Sequence, residues 1–242
     1  MKFKFSPFKG WTKFEFILWV ISVSVVTAAF AFGTEKDFLN LTASLIGCTF
    51  MIYNARGEAL GQVLTVIFSL MYGIISYRQS YYGEMITYLG MSMPIAAISV
   101  FTWIKNSVTS SETGSKVTKV RKLSFYGWIV TSILAAVVTV IFYFILKALG
   151  TANLIFSTLS VTTSFFAAFL TMLRNPYYGV GYACNDAVLI VLWVLASIED
   201  PRQITMVFCF IVFLFNDLYG FVSWKRREKL QAEILRIDSL DN

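Results

Sequence analysis

Eight apolar runs, each about 20 residues long, take up most of the 242-residue chain. About 20 apolar residues are what an α-helix needs to cross the hydrocarbon core of a bilayer. The runs cover roughly 14–33, 37–54, 59–78, 84–104, 123–148, 152–173, 178–198 and 203–224. Eight crossings nearly exhaust the length and leave no room for an ATPase or a separate catalytic domain. Composition agrees: 57% of residues are hydrophobic and 14% charged, against about 25% charged in soluble domains. The expected fold class is an all-α polytopic membrane protein with eight transmembrane helices.

The net charge of +6 is clustered, which indicates orientation in a membrane rather than nucleic-acid binding. With the N-terminus in the cytoplasm, sixteen basic residues fall inside, including Lys2, Lys4, Lys9, Lys13, Arg56, Arg174 and the groups 105–122 and 225–236. Four, Lys36, Arg78, Lys147 and Arg202, fall outside. The split predicts a plasma-membrane (inner-membrane) protein with both termini cytoplasmic. The first run exceeds the length of a signal-peptide core, so it is expected to stay as the first span. Cys48, Cys184 and Cys209 lie in apolar runs with no metal or disulfide spacing. The chain has no histidine, which removes His-based catalysis, proton relays and metal ligation. No cofactor is expected, and an intramembrane enzyme lacks a nucleophile with its base.

The halves resemble each other. Trp19-Val-Ile-Ser parallels Trp128-Ile-Val-Thr, Arg56 parallels Arg174, and Phe101-Thr-Trp-Ile-Lys parallels Phe221-Val-Ser-Trp-Lys. Four crossings per unit keep the second copy in the same orientation, a parallel repeat. Substrate sites in such carriers lie near the midplane between the halves. Only the segment Lys105–Lys122 is a long polar linker.

Polar side chains inside apolar helices are costly and turn to an interior or a cavity. Gln62, Thr65, Ser69, Tyr72 and Ser76 recur at intervals of three and four, on one face of the third span. The seventh span carries Tyr182, Asn185, Asp186 and Trp193, the eighth Asn216, Asp217, Tyr219 and Ser223. Amides suit a carboxamide or a sugar hydroxyl, and aromatic faces suit a planar, cationic ring. Helix–helix hydrogen bonding accounts equally for the third-span stripe, and a cap or Arg partner for Asp217. The Ser/Thr run at 157–164 reads as helix-packing glue. Gly57, Gly61 and Gly73 predict close helix approach, and Pro94 a kink with a freed carbonyl.

Several motifs recur in order: Ala55-Arg-Gly-Glu-Ala-Leu-Gly-Gln, Ile74-Ile-Ser-Tyr, Tyr82-Gly-Glu-Met, Trp103-Ile-Lys-Asn, Arg174-Asn-Pro-Tyr-Tyr, Asn185-Asp, Leu192-Trp, Phe208-Cys-Phe-Ile-Val and Asn216-Asp-Leu-Tyr-Gly-Phe. Over about residues 40–227 the chain resembles the PnuC family of nicotinamide riboside transporters. The resemblance implies two three-helix bundles joined by a linker helix, similar to SWEET sugar transporters, and a homotrimer. It implies facilitated diffusion of nicotinamide riboside with alternating access, followed by metabolic trapping as a phosphate. The implied organisation is an N-terminal segment and first helix at 1–36, bundles at 37–104 and 152–224, a linker and linker helix at 105–151, and a tail at 225–242. The implied ligand contacts are Gln62, Ser69 and Tyr72 on the third span and Asn185 and Trp193 on the seventh; with Tyr182, Asp186, Asn216 and Tyr219 from the polar pattern of the seventh and eighth spans they make up the candidate substrate-binding set. The third span has neither Trp nor Asn, a departure from contacts that family members often use. Transport of another B-type vitamin or nucleoside, such as thiamine or riboflavin, stays open, as does a substrate-binding subunit of a larger transporter.

Overall fold

The computed structural model describes residues 8, 10–32, 38–78, 82–110, 113–151, 153–199 and 204–238. Lys2, Lys4, Lys9, Lys36 and Arg202 of the charge tally lie outside the described residues. The helices are α1 (Lys13–Phe32), α2 (Phe38–Arg56), α3 (Ala59–Arg78), α4 (Tyr82–Thr87), α5 (Met93–Lys105), α6 (Phe125–Ala148), α7 (Leu154–Met172), α8 (Tyr178–Glu199) and α9 (Ile204–Asp238). A π-helical turn, Tyr88–Ser92, joins α4 to α5 in one span. Among the described residues, eight helical segments are thus long and apolar enough to cross a membrane, and their positions match the eight apolar runs.

Three features differ from the sequence reading. Pro94 has no N–H to give to the carbonyl four residues back. The ladder is re-registered just before it, where the Met93 N–H goes five residues back to the Tyr88 carbonyl. The polar linker is partly ordered as an antiparallel hairpin, β1 (Ser107–Thr109) on β2 (Lys116–Thr118), in register Val108↔Val117. The last helix does not end near Trp224 but runs on to Asp238. Nothing between 225 and 238 breaks it, because Lys, Arg, Glu, Gln, Leu and Ala are all good helix formers. Its Gln231 accepts a hydrogen bond from the Val120 N–H, 3.1 Å away, which ties the extension to the linker.

The packing is pairwise. Helix α3 packs on α2 and α5, and α8 on α7 and α9, while α2 meets α9 and α5 meets α7. Exchanging the α2/α3/α5 set for the α7/α8/α9 set leaves this pattern unchanged. Helix α1 lies on α2 and α9, and α6 on α7. Many apolar residues of α6, among them Phe125, Ile133, Val140 and Phe144, are exposed, as a lipid-facing helix requires, while Ala135 and Leu146 are buried.

The ends of α2 and α7 close in the same way. Gly57 N bonds Asn54 O (2.9 Å) and Glu58 N bonds Tyr53 O (3.0 Å). Arg174 N bonds Thr171 O and Asn175 N bonds Leu170 O, both at 2.9 Å. Both are Schellman closures around a left-handed residue, Gly57 at φ 69° and Arg174 at φ 60°. The corresponding positions are therefore 57 and 174, not Arg56 and Arg174, a one-residue correction to the repeat. The linker bridges the two turns: Thr118 N donates to Gly57 O (2.8 Å) and Arg121 N to Arg174 O (2.9 Å).

Two fully buried tryptophans cross the seam at this hairpin end. Trp103 of α5 donates its indole N–H to Thr171 O of α7 (3.0 Å), and Trp224 of α9 donates to Asn54 O of α2 (2.8 Å). The preceding hydroxyls do likewise, Thr102 to Met172 O (3.3 Å) and Ser223 to Ala55 O (2.8 Å). The two indoles touch, with centroids 5.2 Å apart, and with Leu170 and Tyr178 they form one core cluster.

Trp103→Phe and Trp224→Phe each remove a buried donor and are expected to cost about 1–3 kcal/mol, read as a lower melting temperature in detergent. At the two left-handed positions opposite signs are expected. Gly57→Ala places a Cβ 2.1 Å from Arg227 Nη1 at φ +69° and destabilises by at least about 1–2 kcal/mol. Arg174→Gly relieves a comparable strain and is neutral or stabilising in the same assay.

Candidate functional site

The polar stripe of α3 faces inward. Gln62, Ser69 and Ser76 are buried, while Val63, Ile67, Leu70 and Ile74 between them are exposed. Gln62 is already engaged, donating to Asn54 Oδ1 at 2.8 Å. Gly61 makes that contact possible, since a Cβ there would lie 2.3 Å from Asn54 Oδ1. Gly73 likewise admits Leu89, which a Cβ would meet at 2.6 Å. The Ser69 and Ser76 hydroxyls find no partner among the described residues. Tyr72 stacks on Phe68 (5.6 Å) and meets Tyr88 of the π turn with its ring tilted by 46° (4.4 Å), and its side chain reaches Glu84 of α4.

On the other side, α8 presents Tyr182, Asn185 and Asp186. Ser160 and Thr163 of α7 both donate to Asn185 Oδ1, at 3.2 and 3.0 Å. The hydroxyl run of α7 is thus partly glue, through bonds to its own carbonyls and Thr139–Thr162, and partly the holder of this amide. With Oδ1 occupied, the donors on Nδ2 are what Asn185 can offer a ligand. Asp186 lies beside Asp217 of α9, and Tyr88 faces Glu84, Tyr182 and Asp186.

Aromatic rings join the two sides. Trp193 lies parallel to Phe210 at 6.5 Å, and Phe210 contacts Phe213 at 5.8 Å. Phe213 and Phe68 come together over Gly47 of α2, where a Cβ would be 3.5 Å from each. From Trp193 the rings lead to Tyr72 and Tyr88, with three carboxyl groups alongside. Such a surface can hold a flat, positively charged heterocycle.

Two expected ligand residues are employed elsewhere. Asn216 donates to Ser22 of α1 (3.0 Å) and to Val212 O (2.8 Å). Tyr219 donates to Glu15 Oε1 of α1 (3.0 Å). They fasten α1 to α9. Sequence reasoning missed Phe68, Tyr88 and Glu84 as site residues. For Tyr88 a signal was present in Pro94, six positions on, whose missing N–H places the π turn there.

A family model described as nicotinamide mononucleotide transporter matches residues 37–226. The chain belongs to that family. It is a membrane transporter family, so the chain is a transporter and not an enzyme. Among curated relatives, the nicotinamide riboside transporter PnuC of Neisseria mucosa is 22% identical over 223 residues, covering 92% of this chain and 84% of that protein. The nicotinamide riboside transporter PnuC of Haemophilus influenzae is 24% identical over 221 residues, covering 91% and 93%. The crystal structure of the vitamin B3 transporter PnuC superposes with a TM-score of 0.79 at 22% identity, covering 91% of this chain and 94% of that one. The fold is that of the family.

Gly47 tests whether the rings act together. Gly47→Ala adds only an ordinary contact at 3.5 Å and is expected to keep uptake. Gly47→Leu drives Phe68 and Phe213 apart and is expected to abolish uptake while the protein still purifies as a monodisperse species in detergent.

Proposed function

We propose that this chain takes up nicotinamide riboside across the plasma membrane. The observation that carries the reading is the aromatic and acidic cluster between the two helix sets, together with the Nδ2 donors of Asn185, which are unspent among the described residues. Nicotinamide riboside is a pyridinium with a carboxamide and a ribose. Tyr72, Tyr88 and Trp193 offer faces to the ring, Asn185 donors to the carboxamide oxygen, and Ser69 a hydroxyl to the ribose. Asp186 supplies counter-charge. The same acids disfavour the anionic phosphate of the mononucleotide named in the family description, and they favour a cationic ring over neutral riboflavin.

The two helix sets are the bundles 37–104 and 152–224, arranged as a SWEET-like parallel repeat with α6 as the linker helix, and α1 and the tail outside them. The equivalent turns at Gly57 and Arg174 and the reciprocal indole bonds support this division. The hairpin end faces the cytoplasm, as do both termini, in line with the basic residues gathered there. The bundles rock about the site, opening it to one side at a time. Transport runs down the solute's gradient, and phosphorylation inside traps the product. The assembly is a homotrimer, as the resemblance implies.

A thermal-shift panel of nicotinamide riboside, its mononucleotide, thiamine and riboflavin tests the substrate, because a ligand of the folded state raises the melting temperature. The riboside is expected to give the largest shift, and a larger shift with the mononucleotide or riboflavin would sink the reading. Asn185→Ala and Trp193→Ala are each expected to weaken riboside binding by about 1–3 kcal/mol in calorimetry, and unchanged affinity would move the site elsewhere.

A further inference from the structure

Asn185 sits on α8 beside a point where that helix comes very close to α7. At Gly181 a Cβ would stand 2.9 Å from the Ala167 Cβ, so a side chain there would force the two helices apart. One turn further along α8 is Asn185, and one turn back along the antiparallel α7 is Thr163. Ser160 lies three residues beyond Thr163, on the same face. At this separation both short hydroxyls reach Asn185 Oδ1, Ser160 at 3.2 Å and Thr163 at 3.0 Å. They are not equivalent, because each hydroxyl has a single hydrogen to give. Thr163 has two other acceptors for it, the Leu159 and Ser160 carbonyls, both at 3.0 Å, the usual recourse of a helical threonine. Ser160 has only Asn185 Oδ1 among the described residues. Ser160 alone therefore demands that the amide oxygen turn to α7. Thr163 suits either orientation: it donates to Oδ1, or it donates to a carbonyl and accepts from Nδ2.

We infer that Ser160 is the positioning residue that decides which end of the Asn185 amide meets the substrate, and that it makes the site a reader of hydrogen-bond acceptors. The inference rests on the pyridinium riboside reading given above. With the oxygen held on α7, Nδ2 stands on the other edge of the planar amide and donates to a carbonyl carried by the ring. The site then asks the ring substituent for an oxygen acceptor, not for an N–H. Its substrate class is the pyridinium ribosides with a carbonyl group on the ring, ketone as well as amide. Without the Ser160 hydroxyl the balance reverses. Thr163 spends its hydrogen on a backbone carbonyl, its oxygen takes a hydrogen of Nδ2, and Oδ1 turns to the substrate. The site then reads an N–H donor, which an amide has and a ketone lacks. A buried polar group left without its partner is what makes such discrimination large.

The test is calorimetry on the purified full chain in detergent with three ribosides, those of nicotinamide, 3-acetylpyridine and 3-methylpyridine. In the wild type the acetyl compound is expected to bind within about threefold of nicotinamide riboside, and the methyl compound, which has no acceptor, at least about tenfold more weakly. Ser160→Ala is expected to weaken the acetyl compound at least about tenfold relative to nicotinamide riboside. Thr163→Val removes the competing acceptor and is expected to leave the acetyl-to-amide ratio at its wild-type value. A loss of packing alone would weaken all three ribosides together in both variants, and that result overturns the inference. A wild type that rejects the acetyl compound, or binds the methyl compound as well as the others, also overturns it and leaves the substrate reading standing. If Ser160→Ala does not fold, the wild-type series decides. Nicotinamide riboside that fails to bind the wild type overturns both.

Discussion

One carboxylate, that of Glu15, fastens three helices, α1, α2 and α9, to one another. It accepts the Thr12 N–H at 2.7 Å while Glu15 N bonds Thr12 Oγ1 at 3.2 Å, a capping box that starts α1. The same group pairs with Arg56 Nη1 of α2 at 2.9 Å and accepts the Tyr219 hydroxyl of α9. Arg56 in turn bonds Gly10 O and Glu58. A buried ion pair adds little net stability when complete but leaves a costly orphan charge when one partner is lost. It thus enforces a single arrangement of α1, α2 and α9. Through it, α1 holds an element of each helix set, whereas its sequence counterpart α6 packs mainly on α7.

At the same end the two sets hold each other through reciprocal bonds. Each indole N–H reaches a carbonyl of the opposite set, and both carbonyls belong to the last turn of a helix that closes around a left-handed residue. The linker strand then ties the two turns together. This end is dense with hydrogen bonds that cross the seam. Farther along the helices, the contact between the sets is made by aromatic rings and by Tyr88 against Asp186 and Tyr182. Rings slide and repack with small energy changes, whereas the indole bonds are either made or broken. The alternating access proposed above would use both kinds of contact, one to define a state and one to let a solute through.

The spans were legible because hydropathy over 20 residues is a collective signal that no single residue can hide. The roles of individual polar residues were not. Asn185 and Asn216 look alike in sequence, each followed by Asp in an apolar helix, yet among the described residues Asn185 is oriented by α7 through its oxygen with its donors unspent, whereas Asn216 spends its donors on Ser22 and Val212 O and leaves its oxygen unpartnered. Only the identity of the neighbouring helix separates them, and sequence periodicity does not carry that. The repeat was visible in its motifs but misaligned by one position. The conspicuous arginines drew the eye, while what recurs is a backbone shape that glycine adopts at 57 and arginine at 174. Pro94 announced a disturbance whose form, a π turn placing Tyr88 beside Tyr72, follows from packing against α3.

The 35 residues of α9 span about 50 Å at 1.5 Å per residue. From Asp217 to the last described residue, Asp238, is about 30 Å of uninterrupted rod. A tilt of about 10° at the level of Asp217 therefore sweeps the far tip through about 5 Å. A tilt near Asp217 is in this way magnified into a displacement at the far tip, where a spectroscopic label, or another protein, can read it.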